Sequence, residues 1–253
     1  TMTACGVYGA AVITCITVQN SRGVSRVEPL HPVLVSEQIE AVLADHQVSH
    51  IKIGMVGTAA IGRAIGRKLR DFDGEVIFDP VLLATTGQQL IAPQDMDSVH
   101  ADLLPGTTVL TPNLPELEKL TGISSRNPEE ISAAVASLFQ GSEHLRAVLV
   151  KGGHGDSNSM ATDYLYQAIG GEVEREALSH SFLQTVNTHG TGCTLASAFA
   201  AFHSLGGDYS AAFRQAVFFV QKLLRQSAPV RVVSNPKGKG GLLHYLARSQ
   251  PIE

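Results

Sequence analysis

The chain has no tryptophan, three cysteines and 17% charged residues in a length of 253, and each shortage narrows what it can be. Cys5, Cys15 and Cys193 are odd in number and lack CxxC spacing, which argues against a disulfide framework or a thiolate zinc site. Reduced thiols are the expectation. A formal net charge of −4 supplies no basic field to hold nucleic acid or an anionic membrane surface. No apolar run is long enough to span a bilayer, and TMTACGVYG lacks the basic-then-apolar layout of a secretory signal, so a cytoplasmic location is expected. There is no GxxxxGK[ST], which excludes a P-loop enzyme, and no internal repeat, low-complexity tract or linker. The length suits one large α/β domain spanning 1–253.

What is present is alternation. Apolar, β-branched runs at 10–18, 50–57, 75–81, 108–113 and 147–153 predict strands. Helical spacing at 36–46, 59–72, 114–122, 128–141 and 211–228 predicts helices, several closed by glycine. The segment 160–167 followed by GGEVEREALSH predicts a hairpin or added edge strands. Such a pattern reads as βαβ units around a mostly parallel sheet, whose ligands gather beyond the carboxyl ends of the strands. Thr1 to Cys5 resemble the tail of a helix ending at Gly6, so the chain begins partway through an element.

Three stretches at expected strand exits carry candidate chemistry. In NTHGTGCTLASAFAAF (187–202), Gly190 and Gly192 precede a small, apolar, helix-forming run. The free N–H groups and positive dipole of a helix start suit a phosphate or oxyanion there; the bland alternative is a glycine turn that starts a core helix. Cys193, in the same first turn, is either an inert small residue or a thiol with a lowered pKa able to take a proton or attack. In TPNLPELEKLTG (111–122), Asn113 and Glu116 have the spacing of a capping box, and could equally orient a Mg²⁺ and its waters. In AVLVKGGHGD (147–156), Lys151 is a solvated strand end or, beside a polyphosphate, a point charge for a moving phosphoryl group. Asp79 in VIFDPV could assist a metal or cap a turn before Pro80. Together these are the parts that phosphoryl transfer requires.

GVYGAAVITCITVQN, KIGMVG, FDPVLLATTGQQL, TPNLPELEKLTG, VLVKGGH and NTHGTGCTLASA occur in an order that closely resembles the hydroxymethylpyrimidine/phosphomethylpyrimidine kinases of thiamine biosynthesis, within the ribokinase-like superfamily. The resemblance runs over nearly the whole chain. It implies a three-layer α/β/α sandwich with a mostly parallel central sheet, and ATP- and Mg²⁺-dependent phosphorylation of 4-amino-5-hydroxymethyl-2-methylpyrimidine and its monophosphate. It implies further that Gly190, Thr191, Gly192 and Cys193 form the anion hole, with Cys193 as base toward the substrate hydroxymethyl group. Asn113 and Glu116 would govern Mg²⁺ and phosphate placement, Lys151 would sit near the ATP phosphates, and Asp79 matches the acid of the family's DPV segment. Gln19 and Met55 match positions lining the pyrimidine pocket. The family's opening strand and GGAG-type loop have no counterpart before Thr1, from which an upstream extension of the native chain is expected. NPKGKGGLLHYL departs from the family's usual adenine-side segment. A homodimer is expected by likeness to related kinases.

Rival readings are a pyridoxal or dual-specificity kinase, a hydrolase pairing Cys193 with His189, and a sensing module that keeps the fold without turnover. Cysteine at 193 and the VQN segment favour the pyrimidine.

Overall fold

The computed structural model describes residues 1–83, 87–152, 160–235 and 238–247. Ala84 to Thr86, Gly153 with the HGD that follows it, and Pro236 and Lys237 lie outside the described residues.

A 3₁₀ turn over Thr3–Cys5 ends at Gly6, whose φ of 86° is left-handed, so the expected helix tail is a single short turn. Strands β1 (Cys15–Asn20) and β2 (Gly23–Pro29) form an antiparallel hairpin of their own. Then follow α1 (Pro32–Asp45), β3 (His50–Ile53), α2 (Ala59–Leu69), β4 (Glu75–Phe78), α3 (Pro93–Leu103), β5 (Val109–Leu110), α4 (Leu114–Thr121) and α5 (Pro128–Gly141). The chain continues through β6 (Ala147–Val150), β7 (Met160–Ile169), β8 (Glu172–Ser181), α6 (Thr191–Ser204) and α7 (Tyr209–Ser227). Side-chain caps fix several helix starts: Thr58, Asn113, Asn127 and Asp208 each accept a first-turn N–H. Among the described residues no helix is long and apolar enough to cross a membrane.

The central sheet has the order β3-β4-β5-β6-β7-β8. Its first four strands are parallel, and the β7–β8 hairpin extends it antiparallel to β6. Strand alternation sends one set of side chains to each face. Ile77, Val109, Ala147, Leu149 and Leu165 pack with Phe199, Phe213 and Leu223 of α6 and α7. Val76, Phe78, Leu110, Val148, Val150 and Tyr166 pack with Ile61, Leu103, Leu117 and Val135 on the opposite side. Two cores flanking one sheet give the three layers.

Three expectations need correction. The apolar run 10–18 is not a strand of the parallel sheet: the strand begins at Cys15, belongs to the separate hairpin, and leaves Ile16 and Val18 each 57% exposed. Strand β2 and helix α3 were not expected, since VSRVEP and PQDMDSVHADL carry too many polar residues to show a clear period. Helix α3 is nonetheless tied down by Val99, His100 and Leu103. The parallel strands are also shorter than their apolar runs; β3 stops at Ile53, and GMVG leaves the sheet through Gly57 at φ 91°.

Candidate active site

Register explains why the charged residues meet. Lys52 precedes Ile53, while Asp79 follows Phe78, Thr111 follows Leu110 and Lys151 follows Val150. Ile53, Phe78, Leu110 and Val150 all face the α1–α5 layer. By alternation their polar neighbours turn toward α6, at the carboxyl ends of the parallel strands.

Asp79 is the hub. It has no exposed surface. Lys151 Nζ donates to its Oδ1 at 2.6 Å, and Thr111 Oγ1 donates to the same oxygen at 3.3 Å. Its other oxygen, Oδ2, is buried without a hydrogen-bond donor, with Lys52 Nζ at 3.6 Å. Burial alone would raise the Asp79 carboxyl, but Lys151 and Lys52 outweigh it and hold the group below the ordinary range. Glu116 shifts the other way. Burial pushes it up, opposed by Lys151 at 3.5 Å and by the Asn113 amide. The Lys151 ammonium also loses hydration, yet Asp79 and Glu116 together raise its pKa above the usual lysine value.

Asn113 and Glu116 form the capping box that their spacing suggested. Asn113 Oδ1 accepts from Glu116 N at 2.8 Å and Glu116 Oε2 accepts from Asn113 N at 2.8 Å. Capping and chemistry are compatible here, because the same oxygen that closes the box faces Lys151. Pro112 O accepts from Lys151 N at 2.9 Å, locking the two motifs side by side.

The glycine turn faces this cluster. Gly190, at φ 82°, is the N-cap of α6, and the helix starts at Thr191. Thr191 N reaches Thr188 O at 3.4 Å, while the Gly192 and Cys193 amides donate to nothing among the described residues. A Cβ added at Gly192 would stand 3.5 Å from Lys151 Nζ, so the bare backbone and the ammonium border one space. Cys193 is open to solvent. Of the two readings open for its thiol, the lowered one is not what these surroundings favour. Crowding by surrounding protein raises it, Asp79 pushes the same way, and Lys52 and Lys151 only partly offset them. Because the residue remains reachable by water, that crowding acts less than it would in a closed core.

The other expected site residues are less central. Met55 is half-buried just beyond β3, its carbonyl accepting from Thr14 Oγ1 at 2.8 Å. With Phe78 and Leu90 it borders a small apolar cavity of about 10 Å³. Gln19 is exposed, beside the register shift between Val18 and Gln19, and has no contact with the charged cluster among the described interactions. His189 donates its backbone N–H to Gly240 O at 2.9 Å and makes no side-chain hydrogen bond to Cys193 among the described residues. The hydrolase pairing therefore lacks its second member. Lys52 was missed by sequence reasoning. Its signal was a lone lysine inside an apolar parallel strand, two residues ahead of a glycine exit.

Asp79 Oδ2, without a donor, and Glu116, with one oxygen held by Asn113, fit a Mg²⁺ that takes one or two carboxylates and completes its shell with water and phosphate. No group of three or more His, Cys, Asp or Glu able to hold a metal occurs among the described residues. A metal here would thus rely on phosphate oxygens.

The family model described as phosphomethylpyrimidine kinase matches residues 1–237. A hydroxymethylpyrimidine/phosphomethylpyrimidine kinase of Rhizobium meliloti is 42% identical over 202 residues, which is 79% of this chain and 73% of the relative. The crystal structure of a phosphomethylpyrimidine kinase from Clostridium difficile superposes with a TM-score of 0.72 at 31% identity, covering 87% of this chain and 88% of that one. A pyridoxal kinase of Staphylococcus aureus, in complex with AMP-PCP and pyridoxal, superposes with a TM-score of 0.81 at 25% identity, covering 100% of this chain and 87% of the other.

Proposed function

The chain belongs to the phosphomethylpyrimidine kinase family, and on that premise we propose that it transfers the γ-phosphoryl group of ATP to the hydroxymethyl group of 4-amino-5-hydroxymethyl-2-methylpyrimidine, and then to the resulting monophosphate, in thiamine biosynthesis. The observation that carries this reading is that Lys151, paired with Asp79 and Glu116, borders Gly192 at the start of α6, where the Gly192 and Cys193 amides donate to nothing among the described residues. Phosphoryl transfer needs little covalent chemistry from a protein. It needs positioned positive charge around the migrating group.

In this reading, the backbone of Gly190, Thr191, Gly192 and Cys193 cradles the transferring phosphoryl group at the positive end of α6. Lys151 follows the charge as it passes from ATP to the acceptor. Asp79 and Glu116, positioned by Lys151 and Asn113, would hold Mg²⁺ together with phosphate oxygens, and the ion would neutralise charge building on the nucleotide. In its thiolate form Cys193 Sγ receives the acceptor's hydroxyl proton as the alcohol oxygen bonds to the γ-phosphorus and the bond to the ADP oxygen breaks. Met55 covers an apolar face of the pyrimidine, and Gln19 pairs with its ring nitrogen or amino group from the hairpin. The reading includes a cytoplasmic homodimer, which sedimentation would report as twice the mass of one chain.

A coupled ADP-release assay with the pyrimidine alcohol, its monophosphate and pyridoxal side by side tests the assignment. Turnover of both pyrimidines above pyridoxal is expected. Turnover of pyridoxal alone would transfer the assignment to the vitamin B6 substrate, in line with the structural likeness to pyridoxal kinase.

A further inference from the structure

The two lysines of the site are not equivalent. Lys151 commits its ammonium to Asp79 at 2.6 Å and faces Glu116 at 3.5 Å. Lys52, with a side chain only 12% exposed, has Asp79 Oδ2 at 3.6 Å and donates no hydrogen bond among the described residues. An ammonium carries three donors. The ion pair with Asp79 at 3.6 Å leaves those donors unspent, so the ammonium can take a second anion.

The position of Lys52 says which anion. A Cβ added at Gly54 would stand 2.7 Å from Nζ, so the bare backbone of Gly54 leaves the ammonium its space. Gly54 adjoins Met55, the proposed pyrimidine wall. Lys52 is therefore the cation on the acceptor's side, and Lys151 the cation beside the glycine cradle.

We propose that Lys52 forms a phosphomonoester subsite, binding the phosphate that the acceptor already carries in the second phosphorylation. This rests on the kinase reading above. In the first transfer the nucleophile is an alcohol: its oxygen bonds to the γ-phosphorus, the bond to the ADP oxygen breaks, and the proton leaves to a base. In the second, the nucleophile is a phosphate oxygen of the monoester. That oxygen bonds to the γ-phosphorus, ADP departs with the bonding pair, and a diphosphate ester results. The dianionic acceptor has no proton to lose but repels the γ-phosphate, so this step calls for an extra cation rather than a base. A lysine with uncommitted donors at the acceptor's end supplies it.

The test is the ratio of kcat/KM for the monophosphate to kcat/KM for the alcohol in Lys52→Met and Lys52→Gln, with unfolding temperatures measured alongside. The ratio is expected to fall about 10- to 100-fold, the worth of a charge-assisted hydrogen bond to phosphate. Lys52→Arg, which keeps the charge beside Asp79, should recover most of the loss. Binding of the monophosphate without nucleotide should weaken relative to the alcohol by a similar factor. Equal losses for both acceptors, or an unchanged ratio, would overturn the subsite and reduce Lys52 to a structural partner of Asp79. Wild-type turnover of the alcohol but not the monophosphate would also overturn it while leaving the kinase reading standing. Failure of the wild-type protein on both pyrimidines would instead sink the pyrimidine-kinase reading.

Discussion

Lys151→Met keeps most of the side chain's length and removes its charge. In the wild-type protein that charge is shared between Asp79, with no exposure, and Glu116, whose side chain is 7% exposed. Without it Asp79 keeps Thr111 at 3.3 Å and Lys52 at 3.6 Å, while among the described residues Glu116 keeps the Asn113 amide. Removing one partner of a buried pair costs about 3–5 kcal/mol, and the surviving Lys52 contact argues for the lower end. At about 2–4 °C per kcal/mol for a chain of this size, the unfolding temperature should drop by about 6–12 °C at neutral pH. The loss should depend on pH in a definite direction. Glu116 already titrates above its ordinary value, and losing Lys151 raises it further. A carboxyl whose folded pKa exceeds its unfolded one destabilises at high pH, and that penalty fades as pH falls through the folded value toward the unfolded one. The gap between wild type and variant is therefore widest near pH 8 and narrows toward about pH 5. Circular dichroism melts across that window, without nucleotide, measure it. A gap that stays constant with pH, or a variant as stable as wild type, would refute the shared-cation account. Turnover should also fall, by about 10²–10³-fold, as expected for one lost stabiliser of transition-state charge.

Cys193→Ala should lower turnover of the alcohol by about 10²–10⁴-fold with nucleotide affinity retained. Wild-type turnover should rise with pH through the thiol's raised titration and lose that rise in the variant; unchanged turnover would remove the thiol from the chemistry. Gly152→Ala would set a Cβ 1.7 Å from Thr162 O, and because backbone cannot yield as a side chain does, denaturant unfolding should show a loss of about 3 kcal/mol or more. Chelation by EDTA should abolish ADP release, with recovery on adding Mg²⁺ and no change in the melting temperature of the nucleotide-free protein; release that persists under EDTA would exclude the metal.

The alternation of apolar runs with helical spacing was legible because parallel strands buried on both faces, such as AVLV at 147–150, stand out from their surroundings. The capping box was legible too, since its two hydrogen bonds depend only on residues three apart. What escaped were features decided by distant parts of the chain. Strand β1 shares the apolar character of a core strand, and only its pairing with a polar β2 shows that it stands outside the central sheet. The direction of the Cys193 shift was not legible, because a helix start alone favours the thiolate whereas crowding by the surrounding protein, and after it Asp79 from far away in the chain, opposes it. Lys52 went unnoticed for a similar reason: its meaning comes from Asp79 Oδ2, at the end of the next strand, which accepts no hydrogen bond among the described residues and has the lysine at 3.6 Å.

Alternation along β4, β5 and β6 assigns each residue to one layer, and the same parity aims Asp79, Thr111 and Lys151 at the helix beginning with Thr191. Inserting or deleting a single residue within any of these strands would exchange its inward and outward apolar faces and turn its terminal polar group to the wrong side in one stroke. Foldability and reactivity are written in the same phase of the chain, so a one-residue slip cannot damage one and spare the other.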